Sequence, residues 1–150
     1  NLEGAFLFSK YAAPAMKSQK SGVIILTSST AGLYGFMHRA PYVSAKWGVI
    51  GLMKTLAIEL GPFNIRANAI CPGGVEGDRL DRVIEREAAA KGVPAEEIRE
   101  AYAAGTSMRH LVSATDIANM AVFLASDSAQ LVSGQAIAVD GHTEHPEPKF

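Results

Sequence analysis

The sequence predicts an α/β fold with a doubly wound parallel sheet. Two observations carry that expectation. Val23 to Leu26 is an unbroken β-branched and leucine run, the mark of a strand buried on both faces of a parallel sheet. Residues 41–60 then follow helical spacing, and Ile65 to Ile70 returns as a second strand, so strand, helix and strand alternate. In open α/β sheets, ligands sit beyond the carboxyl ends of the strands. Ser28 and Ser29 fall at that position after the first strand.

The totals set bounds. The chain's 150 residues suffice for one domain, and 48% hydrophobic with 19% charged residues suits a buried core rather than disorder. A net charge of −1 without a basic stripe argues against nucleic acid as a partner. Cys71 is the single cysteine, which excludes an intrachain disulfide and a multi-cysteine metal cluster and agrees with a cytoplasmic protein. No apolar run reaches membrane-spanning length, so no membrane partner is expected. The chain opens on Asn1 rather than methionine, and further sequence is expected before it.

Residues 1–19 read as a helix with Leu2, Phe6, Leu7 and Tyr11 as its apolar face and Pro14 loosening its last turns. Ser21-Gly22 turns into the first strand. Ala31 to Pro41 is a glycine-rich loop carrying Phe36, His38 and Arg39, the natural wall of a substrate pocket, where His38 and Arg39 could meet a polar or anionic group. Pro41 suits a first helical turn. Along 41–60, Tyr42, Ala45, Val49, Leu52, Met53, Leu56 and Leu60 form one face, and Ser44, Gly48, Gly51 and Thr55 form a stripe of small residues. Gly61-Pro62 ends this helix. Ile65 to Ile70 alternates apolar and polar residues before Cys71-Pro72-Gly73-Gly74 breaks the strand. Two charged helices, 77–91 and 94–104, divide at Gly92. Ser113 to Asp116 is a capping box for a helix whose buried face is Ile117, Met120, Ala121 and Leu124. Ala136 to Val139 is a last strand, and Asp140-Gly141 turns the chain out. His142 and His145 have a spacing that two metal ligands could share, but a pair in a terminal tail is expected to be incidental, and no metal is expected.

The chemistry gathers at Ser29, Tyr42 and Lys46. Tyr42 and Lys46 are four apart on a helix, so a phenol and an ammonium share one face. A free phenol ionises only near pH ~10, and a neighbouring ammonium favours its ionised form. Such a phenol can exchange a proton with an alcohol or a carbonyl oxygen, while a serine hydroxyl holds that oxygen. Ser28 is the fallback for that serine, its plainer role being a bond to the backbone. A serine hydrolase is disfavoured, because no Gly-x-Ser-x-Gly surrounds either serine. Cys71 reads as a small buried filler rather than a nucleophile.

Several pieces come in one order: Asn1-Leu2 opening a helix, Gly22 to Ser29, Tyr42-x-x-x-Lys46, Asn64-Ile65-Arg66-Ala67-Asn68-Ala69-Ile70, Pro72-Gly73 and Ser133-Gly134-Gln135. With them the chain resembles the short-chain dehydrogenase/reductase family over essentially its whole length. The resemblance implies that residues 1–150 are a single partial domain, the C-terminal half of a Rossmann-like fold, with the N-terminal half that grips the cofactor phosphates absent. It implies hydride transfer between NAD or NADP and a secondary alcohol or ketone. Tyr42 would be the acid/base, Lys46 its assistant and a ligand of the nicotinamide ribose, Ser29 the residue that orients the substrate oxygen, and Asn1 the holder of a relay water. Backbone at Pro72, Gly73 and Val75 would line the nicotinamide beside Tyr42 and Lys46. The family often has a threonine where this chain has Gly77, which has no side chain to make that cofactor contact. Residues of about 76–111 would form the substrate lid. Helices 1–19 and 41–60 would pack across the interface of a homodimer or homotetramer. The alternative reading is an inactive fragment or scaffold subunit without the pyrophosphate-binding turn. The residue that selects NAD or NADP is expected outside this chain.

Overall fold

A computed structural model describes residues 1–144. Helix α1 (Leu2–Gln19) leads into strand β1 (Gly22–Thr27), and α2 (Ala40–Leu60) joins β1 to β2 (Ile65–Pro72). Helices α3 (Asp78–Lys91), α4 (Ala95–Ala104) and α5 (Ala114–Ala125) precede β3 (Ala136–Val139). The strands form a parallel sheet in the order β1-β2-β3. The predicted α/β class and its elements are therefore present, with helix ends within about a residue of expectation.

The core follows from the α2 face. Val49, Met53, Leu56 and Leu60 pack on Ile24 and Leu26 of β1 and on Ile65, Ala67, Ala69 and Cys71 of β2. Met53 is 0% exposed. Burying a side chain of this size contributes about 1.5–3 kcal/mol. The opposite face of β1 differs from expectation. Val23 and Ile25 are half-buried rather than sealed, so β1 is fully covered on the α2 side alone.

The alternation along β2 also has a different meaning from a polar, solvated face. Asn68 is 0% exposed, and its amide is satisfied within the sheet. Its Nδ2 donates to Val132 O at 2.8 Å, and its Oδ1 accepts from Gln135 N at 3.1 Å. Arg66 sends its guanidinium to the carbonyls of Leu124 (2.7 Å) and Ser126 (3.3 Å) at the end of α5. A cation there matches the negative end of the helix dipole. Polar residues can thus alternate in a covered strand because each finds a backbone partner. Nor does the strand stop at Ile70. It continues through Cys71 and Pro72, which pair with Ala138 and Val139 of β3 alone, since β1 pairing ends at Ile70. Pro72 is tolerated because it has one neighbouring strand and sits at the strand's end.

Helix α1 corrects a third expectation. Its contact with the core is made by Ala5, Ala13 and Met16 and by buried Ser9, whose hydroxyl donates to Ala5 O at 2.8 Å. Small residues let the helix axis approach closely. The larger side chains point elsewhere: Phe6 is 51% exposed, Tyr11 73% and Phe8 82%. Leu2 still meets α2, where it lies over Gly48. The helix runs unbroken through Pro14, whose missing donor affects one bond, and ends at left-handed Lys20.

Helices α3 and α4 form a hairpin with its own small core of Ile84, Ala88 and Ile98. Gly92 ends α3 at φ 69°, a conformation that favours glycine. The hairpin is tied back by a parallel bridge between Val75 and Val112 and an antiparallel one between Thr106 and Thr143. Helix α5 begins with the expected capping box, and the Ser113 hydroxyl and amide hold the Asp116 carboxyl below its ordinary range. Leu124 of α5 is buried, and Ile117, Met120 and Ala121 are half-buried. Among the described residues, no helix is long and apolar enough to cross a membrane. His145 lies outside the described residues, so the His142/His145 pair has no structural description.

Candidate active site

The carboxyl end of β1 enters a 3-10 turn at Thr30–Gly32, and α2 starts eight residues later, at Ala40. This brings Ser29 and Tyr42 to the wall of one cavity of about 370 Å³. The two serines divide their tasks. Ser28 is buried, and its hydroxyl donates to Lys46 O at 2.9 Å, which fastens the strand end to α2. Ser29 is half-buried, and its oxygen accepts from Ala31 N at 3.1 Å. Its own O–H remains free to donate. The turn is packed tightly: a Cβ on Gly32 would come within 2.9 Å of Lys46 O.

Lys46 is buried at 8% exposure. Its Nζ donates to Thr27 O at 3.0 Å and lies 5.6 Å from the centroid of the Tyr42 ring. An ammonium has three donors, and the Thr27 carbonyl takes one of them. Ser29 and Tyr42 therefore share a cavity wall, and Lys46 stands beside the Tyr42 ring without lining that cavity. Asn1 is set apart: it is exposed at the N-cap of α1, makes no side-chain cap bond and does not line the cavity.

Pro72, Gly73 and Val75 line the opposite wall. Gly73 is required there, because a Cβ would come within 2.9 Å of the Asp140 Cβ. The Val75–Val112 bridge is made by Val112 N to Gly74 O (2.9 Å) and Glu76 N to Val112 O (2.8 Å). Both bonds use the neighbours' groups and leave Val75's own amide and carbonyl outside the bridge. Gly77 offers no side chain, and nothing lies within 4 Å of where one would start. Cys71 is fully buried, and burial pushes its thiol upward, which suits the filler role.

Among the cavity residues that sequence reasoning did not single out are Arg79, Tyr102, Thr106 and Thr143. Tyr102 is a second phenol, so its suitability as an acid/base matters. Burial, then the Glu87 carboxylate that accepts its proton at 3.0 Å, pushes it up to about 12. It stays protonated near neutral pH, which disfavours Tyr102 as an acid/base. Thr143 is positioned by Asp140, whose carboxylate accepts from His142 N (3.0 Å), Thr143 N (3.1 Å) and the Thr143 hydroxyl (2.7 Å). Asp140-Gly141 announces that turn in the sequence, but not which cavity it closes. Arg39 lines the cavity as expected of its loop, and His38 does not. Among the described residues, no group of three or more His, Cys, Asp or Glu is arranged to hold a metal.

A family model described as enoyl-(acyl carrier protein) reductase matches residues 1–142. The chain belongs to the short-chain dehydrogenase/reductase family. It is 39% identical over 144 residues to trans-4-hydroxycyclohexanecarboxylate dehydrogenase of Sinomonas cyclohexanicum, covering 94% of this chain and 48% of the relative. Actinorhodin polyketide ketoreductase with NADPH superposes with a TM-score of 0.88 at 34% identity, covering 94% of this chain and 55% of that one. NAD+-bound xylitol dehydrogenase gives 0.86 at 29%, covering 93% and 55%. The chain spans about half the length of the curated relatives it matches.

Proposed function

We propose that the protein is an NAD(P)-dependent oxidoreductase that interconverts a secondary alcohol and its ketone through Ser29, Tyr42 and Lys46. The observation that carries this reading is the shared cavity: the free Ser29 hydroxyl and the Tyr42 phenol face one space, with the Lys46 ammonium buried behind the phenol. NAD or NADP, when bound, supplies or accepts the hydride. The cavity wall suits a nicotinamide ring, since Gly73 keeps it low and Val75 has main-chain groups to offer a carboxamide.

The chain's own residues handle the proton. In the reducing direction Tyr42 donates its proton to the carbonyl oxygen as the carbon becomes tetrahedral. In the oxidising direction the Tyr42 phenolate takes the proton of the alcohol. Ser29 donates a hydrogen bond to the same oxygen and holds it in line. Lys46 steadies the phenolate, and its remaining donors are available to a ribose hydroxyl.

Nicotinamide absorbance recorded with the full-length protein and a panel of secondary alcohols and ketones tests the reading. Coenzyme turnover that depends on the alcohol is the expected result, and its absence across the panel would sink the proposal. Ser29→Ala is expected to slow the chemical step by roughly 10²-fold or more, by comparison with loss of one oxyanion donor. A variant that turns over like the parent would leave the serine without its assigned task.

The same reading includes a homo-oligomer, a dimer or tetramer built through α1 and α2. Phe6, Phe8 and Tyr11 of α1 and Trp47 of α2 are exposed, and nothing approaches Gly51 within 4 Å. A covering surface would account for both the aromatic side chains and the open glycine. Sedimentation of the full-length protein should give a mass of two or four chains, and a strictly monomeric species at micromolar concentration would contradict it.

A further inference from the structure

The cavity's charged lining is of one sign. Arg39, at the end of the loop after β1, and Arg79, in the first turn of α3, both line it, and among the described residues no acidic side chain does. The rest of the wall is apolar, backbone or hydroxyl-bearing. Arg39 is linked to a carboxylate only through a phenol that already serves it. Arg39 reaches the Tyr102 hydroxyl, that hydroxyl donates to Glu87 at 3.0 Å, and Glu87 pairs with Lys91 at 2.7 Å. Arg79 makes no ion pair among the described residues. Glu76 and Asp78 flank it in the chain, but neither pairs with it or lines the cavity.

Both arginines are exposed, so water solvates their guanidinium groups at the open cavity, and an anion that enters would take the place of that water. A guanidinium fork matches a carboxylate through two parallel hydrogen bonds. The two arginines also come from different elements, the loop after β1 and the lid, so one anion would bridge them. The space is small. About 370 Å³ is near the lower end of the ~300–1,000 Å³ range of small-molecule sites, and the wall at Pro72 and Val75 must also admit the nicotinamide.

We infer that the substrate is a short oxo or hydroxy acid whose carboxylate is held between Arg39 and Arg79 while its carbonyl or carbinol carbon faces Ser29 and Tyr42. The identity of the reacting end rests on the oxidoreductase reading. The anion site itself stands on the two arginines.

The test uses full-length protein saturated with coenzyme. Calorimetric titration compares 2-oxobutanoate, 3-oxobutanoate and 4-oxopentanoate with the methyl ester of each, followed by initial rates for the same compounds. At least one acid should bind about tenfold or more tightly than its ester, the scale of a hydrogen bond to a charged group. That acid-to-ester ratio should fall about tenfold in Arg39→Gln and in Arg79→Gln, with partial recovery in the lysine variants. Equal affinity of every acid and its ester in the parent protein overturns the inference without recourse to any variant. So does an unchanged ratio in both glutamine variants. Loss of coenzyme affinity in Arg79→Gln with the ratio intact would assign that arginine to the cofactor phosphates, and also overturns it. Acid-selective binding without hydride transfer leaves the anion site standing and removes the oxidoreductase reading.

Discussion

Phenylalanine in place of Tyr42 should lower turnover by roughly 10²–10⁴-fold, the usual share of a positioned acid/base, while nearly sparing coenzyme affinity. The substitution removes one oxygen and keeps the ring, so the half-buried side chain still fills its place at the cavity wall. What disappears is the hydroxyl proposed to carry the proton; Tyr102, the other phenol lining the cavity among the described residues, is held protonated by burial and by Glu87. Steady-state rates and a coenzyme titration on parent and variant measure the two effects separately. A Tyr42→Phe protein with full turnover would remove the mechanism.

Lys46→Ala should weaken both turnover and coenzyme binding. Its ammonium is buried and donates to Thr27 O at 3.0 Å, at the strand end that leads into Ser28 and Ser29. Alanine deletes the charge behind the phenol and the donors offered to a ribose. It also frees the Thr27 carbonyl, so the strand end loses a tether to α2. A hydrogen bond from a charged donor contributes about 1.5–3 kcal/mol, so coenzyme affinity should fall roughly ten- to hundredfold, with a larger loss in kcat. Thermal denaturation of the variant separates a local effect from a general loss of fold. Unchanged coenzyme affinity would confine Lys46 to the proton step, and an unchanged kcat as well would leave it without a role.

Much of this was legible in the residues because chemistry and spacing coincide. Four positions on one helix must place Tyr42 and Lys46 together, and an apolar run ending in serines must put hydroxyls at the strand's carboxyl end. Spacing favours Ser29 over Ser28 in the sequence itself, but the bond that occupies Ser28 joins it to Lys46 O, eighteen residues away, and no local pattern announces it. The partners of the polar residues in β2 were hidden for a related reason. Asn68 and Arg66 are satisfied by carbonyls 58 to 64 residues away, at Leu124 and Val132, and no local pattern announces such partners. In α1 the large side chains were read as the buried face, whereas the small ones set the packing distance. Arg79, Tyr102 and Thr143 reach the cavity through tertiary contacts of the α3–α4 hairpin and of the turn after β3, which sequence periodicity does not encode.

The most direct measurement is a crystal structure of the full-length protein with coenzyme and a turned-over alcohol or an unreactive analogue. The Tyr42 and Ser29 side-chain oxygens should both lie within about 2.6–3.2 Å of the ligand oxygen, with the Lys46 ammonium directed to the ribose. A ligand bound outside this cavity, or one whose reacting oxygen meets neither hydroxyl, would contradict the account.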